Sequence, residues 1–211
     1  MRIVRLRRQT ELWGELFLED GTRLRCPLPV ILESGLTSGQ EVSAETLSEL
    51  HRQSQLWQIR HTALRLLARR AHTREELRRK LVRKFPAASA VIETVLERLA
   101  AEGYLDDRTF AEDFVRSWLR RKAASALRLF AELRRRGIAP EIAHSTITRL
   151  LPESELLEQA RRAAREKLRR LHHRDRQRQW SALAGYLSRQ GFPAAIVRRL
   201  LPELFPDLRV G

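Results

Sequence analysis

The chain has 211 residues with 41 Lys and Arg against 26 Asp and Glu, which gives a formal net charge of +15. Hydrophobic residues make up 43% of the chain, enough for a folded core, so disorder throughout is excluded. The sequence has no run of about 18 apolar residues, which excludes a membrane span. The basic residues 1–8 lack the apolar stretch of a secretory signal, so we expect none. Its single cysteine, Cys26, excludes an internal disulfide and a Cys-pair zinc site, so we expect a soluble cytoplasmic protein.

The charge is distributed unevenly along the chain. Residues 1–59 contain 7 basic and 8 acidic residues, whereas residues 60–211 contain 34 basic and 18 acidic ones. The N-terminal part is therefore expected to be close to neutral, with a formal net charge of −1. The remainder should attract a polyanion, either nucleic acid or a partner that is acidic or bound to DNA.

The first residues follow the period of β-strands. Polar and apolar residues alternate up to Leu18, and Glu19-Asp20-Gly21-Thr22 is a strong turn signal. We predict a β-hairpin or meander over about 2–32, ended by Pro27 and Pro29, and then a short helix from Ser43 to Leu50. Cys26 should be half-buried in this small β-rich domain, which we place at 1–52.

From Leu56 onward the hydrophobic period changes to that of helices, and nine of them are predicted in groups of three. Thr73 to Glu76 forms a capping box, and Asp106 or Asp107 caps a later helix. Gly103, Gly137 and Gly191 each end a helix. Pro140 begins one.

A repeated segment supports the grouping in threes. The sequence Arg-Leu-Leu-Pro-Glu occurs at 149–153 and again at 199–203, with a degenerate copy at 98–102. We therefore predict a mainly α protein, an elongated tandem array of three-helix repeats at 53–105, 106–152 and 153–205. Such an array should have a radius of gyration well beyond the ~17 Å of a compact chain of this length.

Several segments together resemble the RecX family of regulatory proteins. They are Gly103-Tyr104-Leu105-Asp106-Asp107 followed by Phe110-Ala111, the segments 63–68 and 76–81 before it, and 134–138 after it. The resemblance is good over about 60–152 and looser over 153–205, and residues 1–50 resemble an N-terminal extension of some members. One departure is Phe85-Pro86, where the later two repeats have glycine and a hydrophobic residue.

The resemblance implies a small helical protein that binds the RecA recombinase and its nucleoprotein filament on DNA. Members of the family modulate, and usually inhibit, the ATPase and strand exchange of the recombinase, and they are thought to lie along the filament groove. A role in DNA repair, recombination and the SOS response would follow. We expect a monomer that contacts single- and double-stranded DNA through its phosphates and does not bind membranes.

The residues of the family motif are interpreted as structural. Gly103 should cap one helix, Asp106 or Asp107 the next, and Tyr104 with Leu105 should pack between repeats. Phe110, Phe114 and Trp118 have helical spacing and are expected in the core, with an aromatic stacking platform as the alternative.

Clusters of basic residues are the candidate binding site. Any single arginine can belong to a solvated helix face, but the set as a whole favours contact with a polyanion or filament, through phosphates and without base reading. The candidates are Arg70, Arg74, Arg78, Arg79, Lys80, Arg83 and Lys84 in the first repeat, Arg116, Arg120, Arg121, Lys122, Arg128, Arg134, Arg135 and Arg136 in the second, and Arg161, Arg162, Arg165, Lys167, Arg169 and Arg170 in the third.

The sequence contains no catalytic constellation that we can identify, so we expect neither an enzyme nor a cofactor. No His-x3-His pair lies beside a glutamate, and the neighbours His172 and His173 are not taken as metal ligands. Two alternatives to a recombinase regulator stay open. One is a nucleic-acid-binding helical repeat protein that reads no sequence and has no recombinase partner, and the other is a scaffold for an acidic protein.

Overall fold

The computed structural model describes residues 1–171 and 175–208. Within these ranges the chain forms a small sheet followed by a series of helices. The strands are β1 (Ile3–Arg8), β2 (Trp13–Leu18) and β3 (Arg23–Pro27). The helices are α1 (Leu28–Glu33), α2 (Ala44–Leu67), α3 (Arg74–Lys84), α4 (Ser89–Ala101), α5 (Asp107–Arg121), α6 (Ala126–Arg135), α7 (Pro140–Leu150), α8 (Glu153–Leu168), α9 (Arg176–Arg189) and α10 (Ala194–Leu204).

The sheet is an antiparallel meander in the order β1-β2-β3, as the alternating pattern predicts. The turn between β2 and β3 contains Gly21 at φ 82°, and the Asp20 carboxylate accepts a hydrogen bond from the Thr22 amide at 2.9 Å. The predicted strand region up to residue 32 is too long. Pro29 lies in the first turn of α1, where its missing N–H costs nothing and its fixed φ suits a helix.

One face of the sheet packs on α1 and the start of α2. Leu16 and Leu18 of β2 are buried there with Ile31 of α1 and Leu50 of α2. Cys26 belongs to the same core at 4% exposure, so it is fully buried and not half-buried as expected. Burial raises the pKa of its thiol.

Helix α2 is a single element of 24 residues, capped by the Ser43 hydroxyl, which accepts from the Thr46 amide. The predicted end at Leu50 is wrong, because residues 51–55 contain no glycine or proline and the Ser54 hydroxyl bonds back to the Leu50 carbonyl at 2.7 Å. The first half of α2 buries Leu50 against the sheet, and the second half buries Ile59 and Ala63 in the next core. The division proposed at 52/53 thus falls inside this helix.

The helices after α1 form three groups of three. The first and third helices pack together in each group, namely α2 on α4, α5 on α7 and α8 on α10. The first group has its own core, centred on Leu77, Leu81 and Ile92, whereas the second and third groups share one continuous core. In the described part of the chain, the helices α5 to α10 therefore pack around a single hydrophobic core.

The chain folds into two compact units. Unit 1 comprises Met1–His72 and Glu76–Leu105, and unit 2 comprises Thr73–Glu75 and the residues from Asp106 onward. The four-part division given by the sequence stays a proposal.

The glycine helix ends are confirmed by their hydrogen bonds. Gly103, Gly137 and Gly191 all have φ between 80° and 86°. After each glycine, the next amide donates to a carbonyl five residues back, as in the Schellman motif: Tyr104 to Leu99, Ile138 to Leu133 and Phe192 to Leu187. Glycine is favoured at these positions because a Cβ is strained at positive φ.

The motif around Asp106 is structural in most of its predicted details. Asp106, and not Asp107, caps α5, with its carboxylate accepting from the amides of Arg108 and Thr109 at 2.8 and 3.1 Å. The Thr109 hydroxyl also donates to this carboxylate at 2.6 Å, and it makes the largest contribution to holding the pKa of Asp106 below its usual value, followed by the Thr109 amide. Leu105 is buried, but Tyr104 is 54% exposed, so the prediction that Tyr104 packs between repeats is wrong.

The aromatic residues of α5 belong to the core, as expected. Ala111, Val115 and Trp118 are buried in the shared core, and Phe110 and Phe114 pack against it half-buried. Lys122 and Arg136 lie over the rings of Trp118 and Phe114 at 4.4 and 4.8 Å.

Candidate nucleic-acid and partner interface

The predicted basic residues lie on α3 and the loop before it, on α5, α6 and the residues that end them, and on and after α8. Those with exposed side chains are Arg70, Arg79, Arg83, Lys84, Arg116, Arg120, Arg121, Lys122, Arg128, Arg134, Arg135, Arg165, Arg169 and Arg170. Those that are partly buried are Arg74, Arg78, Lys80, Arg136, Arg161, Arg162 and Lys167. Exposure alone does not make them equivalent, because their contacts differ.

A basic groove in unit 1 brings several of these side chains together. It is an open depression of about 450 Å³ between α2 and α3, and we call it the α2–α3 groove. It is lined by Thr62, Arg65, Leu66, Arg69, Lys80, Arg83 and Lys84. None of these lining residues is acidic, so the groove carries a positive charge that suits phosphate or carboxylate groups.

The positions of the basic residues along the chain explain why they line the groove. Arg65 lies in the last turn of α2, and Arg69 follows two residues after the helix ends. On α3, Lys80 precedes Arg83 and Lys84 by three and four residues, which places them side by side. The buried Leu77 and Leu81 hold α3 in the core, so the basic stripe faces solvent.

The groove cations are largely free of carboxylates. Within the described ranges, no Asp or Glu oxygen lies within 4.0 Å of Arg65, Arg69 or Arg83. The Lys84 ammonium donates to the Thr62 hydroxyl at 3.3 Å and lies 5.4 Å from the Phe85 ring centre. These side chains are therefore available to an external anion.

His72 holds the side chain of Lys80, which lines the groove. It is 4% exposed, and Lys80 donates to its Nε2 at 2.8 Å while its Nδ1 lies 2.9 Å from the Arg70 carbonyl. This pattern requires a neutral ring with the proton on Nδ1, since Nε2 must accept. Burial lowers the pKa of His72, and the nearby charges of Arg70 and Lys80 lower it further.

Other predicted candidates are engaged within the protein. Arg162 donates to the carbonyls of Leu119, Arg120 and Arg121 and so satisfies the C-terminal end of α5. Arg161 pairs with Glu158 and Glu203. Both guanidinium groups are therefore engaged in contacts within unit 2, and a partner would have to compete with these contacts to bind them.

Two further contacts belong to the packing of unit 2. Arg128 donates to the Gln190 side chain at 2.7 Å, and Arg134 donates to the Ile138 carbonyl at 2.5 Å. The remaining exposed cations are spread along α5, α6 and α8. Arg116 and Arg135 form salt bridges at the surface with Glu112 and Glu132. Exposed salt bridges contribute little to stability, so an external anion can replace the carboxylate at small cost.

The sequence interpretation missed Thr62 and Arg65. The signal was present, because Arg65 precedes Arg69 by four residues, which is the spacing of neighbours on one helix face. The sequence did not show that α3 lies beside these arginines and forms the other side of the groove.

Comparisons with known proteins agree with this architecture. Residues 60–99 match the family description "RecX, first three-helix domain", and residues 106–146 match "RecX, second three-helix domain". Proteins named "Regulatory protein RecX" are 41% identical over 133 residues in Pelodictyon phaeoclathratiforme and 42% identical over 142 residues in Halorhodospira halophila. These alignments cover 62% and 66% of this chain and 78% and 84% of the relatives.

Solved structures share the fold. The structure titled "Crystal structure of regulatory protein RecX" superposes with a TM-score of 0.75 at 18% identity, covering 98% of this chain and 99% of the other. RecX from Lactobacillus salivarius superposes with a TM-score of 0.65 at 21% identity, covering 71% of this chain and 96% of the other.

The tandem three-helix groups and the basic groove define a helical repeat protein with a surface suited to polyanions. The sequence matches are more specific, and the chain belongs to the RecX family of regulatory proteins. Among the described residues, no group of His, Cys, Asp or Glu is arranged to hold a metal ion, and no helix is long and apolar enough to span a membrane. His172 and His173 lie outside the described residues.

Proposed function

We propose that this protein is a cytoplasmic regulator that binds the RecA-type recombinase filament and inhibits its ATPase and strand exchange. Membership of the family supports the regulatory role. The α2–α3 groove is the observation that carries the proposed contact, because three of its arginines have no carboxylate partner among the described residues. A filament offers both DNA phosphates and acidic protein groups to such a surface.

The mechanism is steric and electrostatic and needs no catalytic group. Guanidinium groups bind phosphate or carboxylate in a bidentate fashion without reading bases. A monomer held on the filament in this way changes the stability of the filament and its nucleotide turnover.

The test is the DNA-dependent ATPase of the cognate recombinase, with and without this protein at several-fold excess over recombinase protomers. The double variant R69Q/R83Q removes two groove charges, and we expect it to lose most of the inhibition. The control R52Q/R178Q also removes two charges, from the surface pairs Arg52–Glu49 and Arg178–Asp175, and should inhibit like the unaltered protein. An unaffected ATPase at this excess would contradict the proposed function.

The second candidate is a helical repeat protein that binds nucleic acid without a recombinase partner. The groove favours it equally, since phosphates are the shared ligand. The two are separated by comparing binding to bare DNA and to recombinase-coated DNA. A preference for the coated DNA supports the regulator, and equal binding supports the second candidate.

A further inference from the structure

The outer face of the N-terminal sheet combines aromatic and basic side chains. Strand register pairs Arg5 and Arg23 with Phe17, and it pairs Arg7 and Arg25 with Glu15. Because alternate residues of a strand share a face, Trp13, Glu15 and Phe17 of the central strand lie on the same side as these four arginines. Two aromatic rings on the middle strand are thus flanked by two arginines on each neighbouring strand.

This outer face lies apart from the three hydrophobic cores of the described residues. The opposite side of β2 supplies the buried Leu16 and Leu18, whereas Trp13 and Phe17 remain half-exposed outside those cores. Trp13 meets Trp57 of α2 edge-on at 6.3 Å, and Trp57 stacks on His61 at 4.7 Å. The aromatic strip therefore continues beyond the sheet onto α2.

The arginines of this face lack carboxylate partners in the described part of the chain. Within residues 1–171 and 175–208, no carboxylate oxygen lies within 4.0 Å of Arg5, Arg7, Arg23 or Arg25. The acid on the same face, Glu15, accepts a hydrogen bond from the side-chain Nε2 of Gln9 at 3.2 Å. Acidic and basic residues nearly cancel in residues 1–59, yet the fold concentrates four positive groups on one side of the sheet.

We propose that the outer face of the sheet binds single-stranded DNA, with bases stacking on Trp13 and Phe17 and phosphates contacting Arg5, Arg7, Arg23 and Arg25. Aromatic rings bordered by cations suit a single strand because its bases expose their faces, while those of a duplex are stacked away. The proposal goes beyond the proposed function, since it requires no recombinase and involves a different surface from the α2–α3 groove.

Two of the arginines now lie against the rings that the bases would use. The guanidinium carbon of Arg25 is 4.6 Å from the Trp13 ring centre, and that of Arg23 is 5.5 Å from the Phe17 ring centre. An exposed cation–π contact is weaker than the stacking of a base on an aromatic ring. A base therefore displaces the guanidinium, which then becomes available to the adjacent phosphate.

The direct test is photocrosslinking of the full-length protein to a 20-nucleotide oligo(dT) strand that contains 5-iododeoxyuridine. Mass spectrometry of the digested complex should find crosslinks at Trp13 or Phe17. Crosslinks confined to residues 60–208 would overturn the proposal, because the basic helices alone would then account for DNA binding.

Variants provide a second readout, the affinity for fluorescein-labelled dT20 measured by anisotropy at low salt. We expect W13L/F17L, which keeps apolar side chains on the strand, to weaken binding by about tenfold. R5Q/R7Q should weaken it about fivefold. The matched control R2Q/R8Q removes the same charge from the same end of the chain, where Arg2 and Arg8 donate to the carbonyls of Gly39 and Thr10, and should change affinity less than twofold.

Equal losses in R5Q/R7Q and R2Q/R8Q would also overturn the proposal, since they would indicate general electrostatic attraction. Circular dichroism melting curves establish that each variant is folded before its affinity is interpreted. No recombinase is present in either assay, so a negative result here leaves the ATPase experiment and the proposed function untouched.

Discussion

At the scale of single residues, two helix-ending glycines of the same conformation have very different surroundings. Gly103 and Gly137 have φ values of 80° and 86°. A Cβ at Gly103 would meet nothing within 4 Å, whereas a Cβ at Gly137 would overlap the Cβ and Cγ of Glu75 in the same unit. An alanine at Gly103 would therefore introduce backbone strain alone, whereas an alanine at Gly137 would introduce the same strain and a steric overlap.

We expect G103A to lower the free energy of unfolding by about 1–2 kcal/mol through left-handed strain. G137A should lower it by about 3 kcal/mol or more, because overpacking adds to the same strain. Urea unfolding of the two variants and the unaltered chain measures the difference. Equal losses would mean that the contact between Gly137 and Glu75 is not tight in solution.

His72 gives the second prediction at this scale. Burial lowers its pKa below the ordinary value of about 6.5, so the unfolded chain takes up a proton at a pH where the folded protein does not. This contribution to stability is present above about pH 6.5 and is lost as the pH falls towards the lowered pKa of the folded state. A protonated ring would also lose the hydrogen bond from Lys80.

The urea midpoint of the unaltered protein should therefore fall between pH 7 and pH 5 by more than that of the variant H72Q. Glutamine does not titrate, and the other histidines are common to both proteins, so the difference between the two pH profiles isolates His72. Parallel profiles would show that His72 is not buried in a neutral form.

At the scale of elements, two buried hydroxyl groups of unit 2 donate hydrogen bonds to carbonyls at the ends of helices. The Ser125 hydroxyl caps α6 and donates to the Gln190 carbonyl at the end of α9 at 2.6 Å. The Thr73 hydroxyl donates in the same way to the Arg136 carbonyl at the end of α6. Both residues are fully buried, and each accepting carbonyl precedes a glycine that ends a helix.

Arg162 and Arg165 of α8 show how an arginine used for stability differs from one available for binding. Arg162 donates to three carbonyls at the end of α5, while Arg165 is exposed and has no carboxylate within 4.0 Å among the described residues. We expect R162Q to lower the free energy of unfolding by about 1–2 kcal/mol. R165Q should stay within about 0.5 kcal/mol. Thermal or urea unfolding of both variants tests this, and similar stabilities would contradict the assignment.

At the scale of the whole molecule, the charge of +15 should make DNA binding strongly dependent on salt. On duplex DNA the slope of log affinity against log salt is about −0.9 for each phosphate neutralised. If Arg69 and Arg83 each contact a phosphate, R69Q/R83Q should make the slope shallower by about 2. Anisotropy titrations at several salt concentrations provide the measurement. The same change in R52Q/R178Q would mean that total charge, and not the groove, determines binding.

Features that depend on neighbours in the sequence could be predicted from the sequence. The Asp20-Gly21 turn, the glycine helix ends, the cap of α5 and the three-helix period all arise from local φ preferences and from hydrogen bonds a few residues apart. The repeated Arg-Leu-Leu-Pro-Glu segments predicted the tandem groups, and the motif at 103–107 with the segments around it carried the resemblance to the family. Helix α1 was missed because Pro29 both disfavours a strand and favours the first turn of a helix.

The tertiary structure alone decided which charged side chains are free. Arg162 and Arg83 both occur in basic helical segments, yet one meets the end of a helix 41 residues earlier and the other faces an open groove. Summing the charges over residues 1–59 concealed the arginines of the outer sheet face, because strand register places them together and leaves most of the acidic residues elsewhere. Contacts between residues far apart in the sequence determine both the engagement of Arg162 and the grouping of the sheet arginines. Such contacts depend on how whole helices and strands pack, and local conformational preferences do not specify that packing.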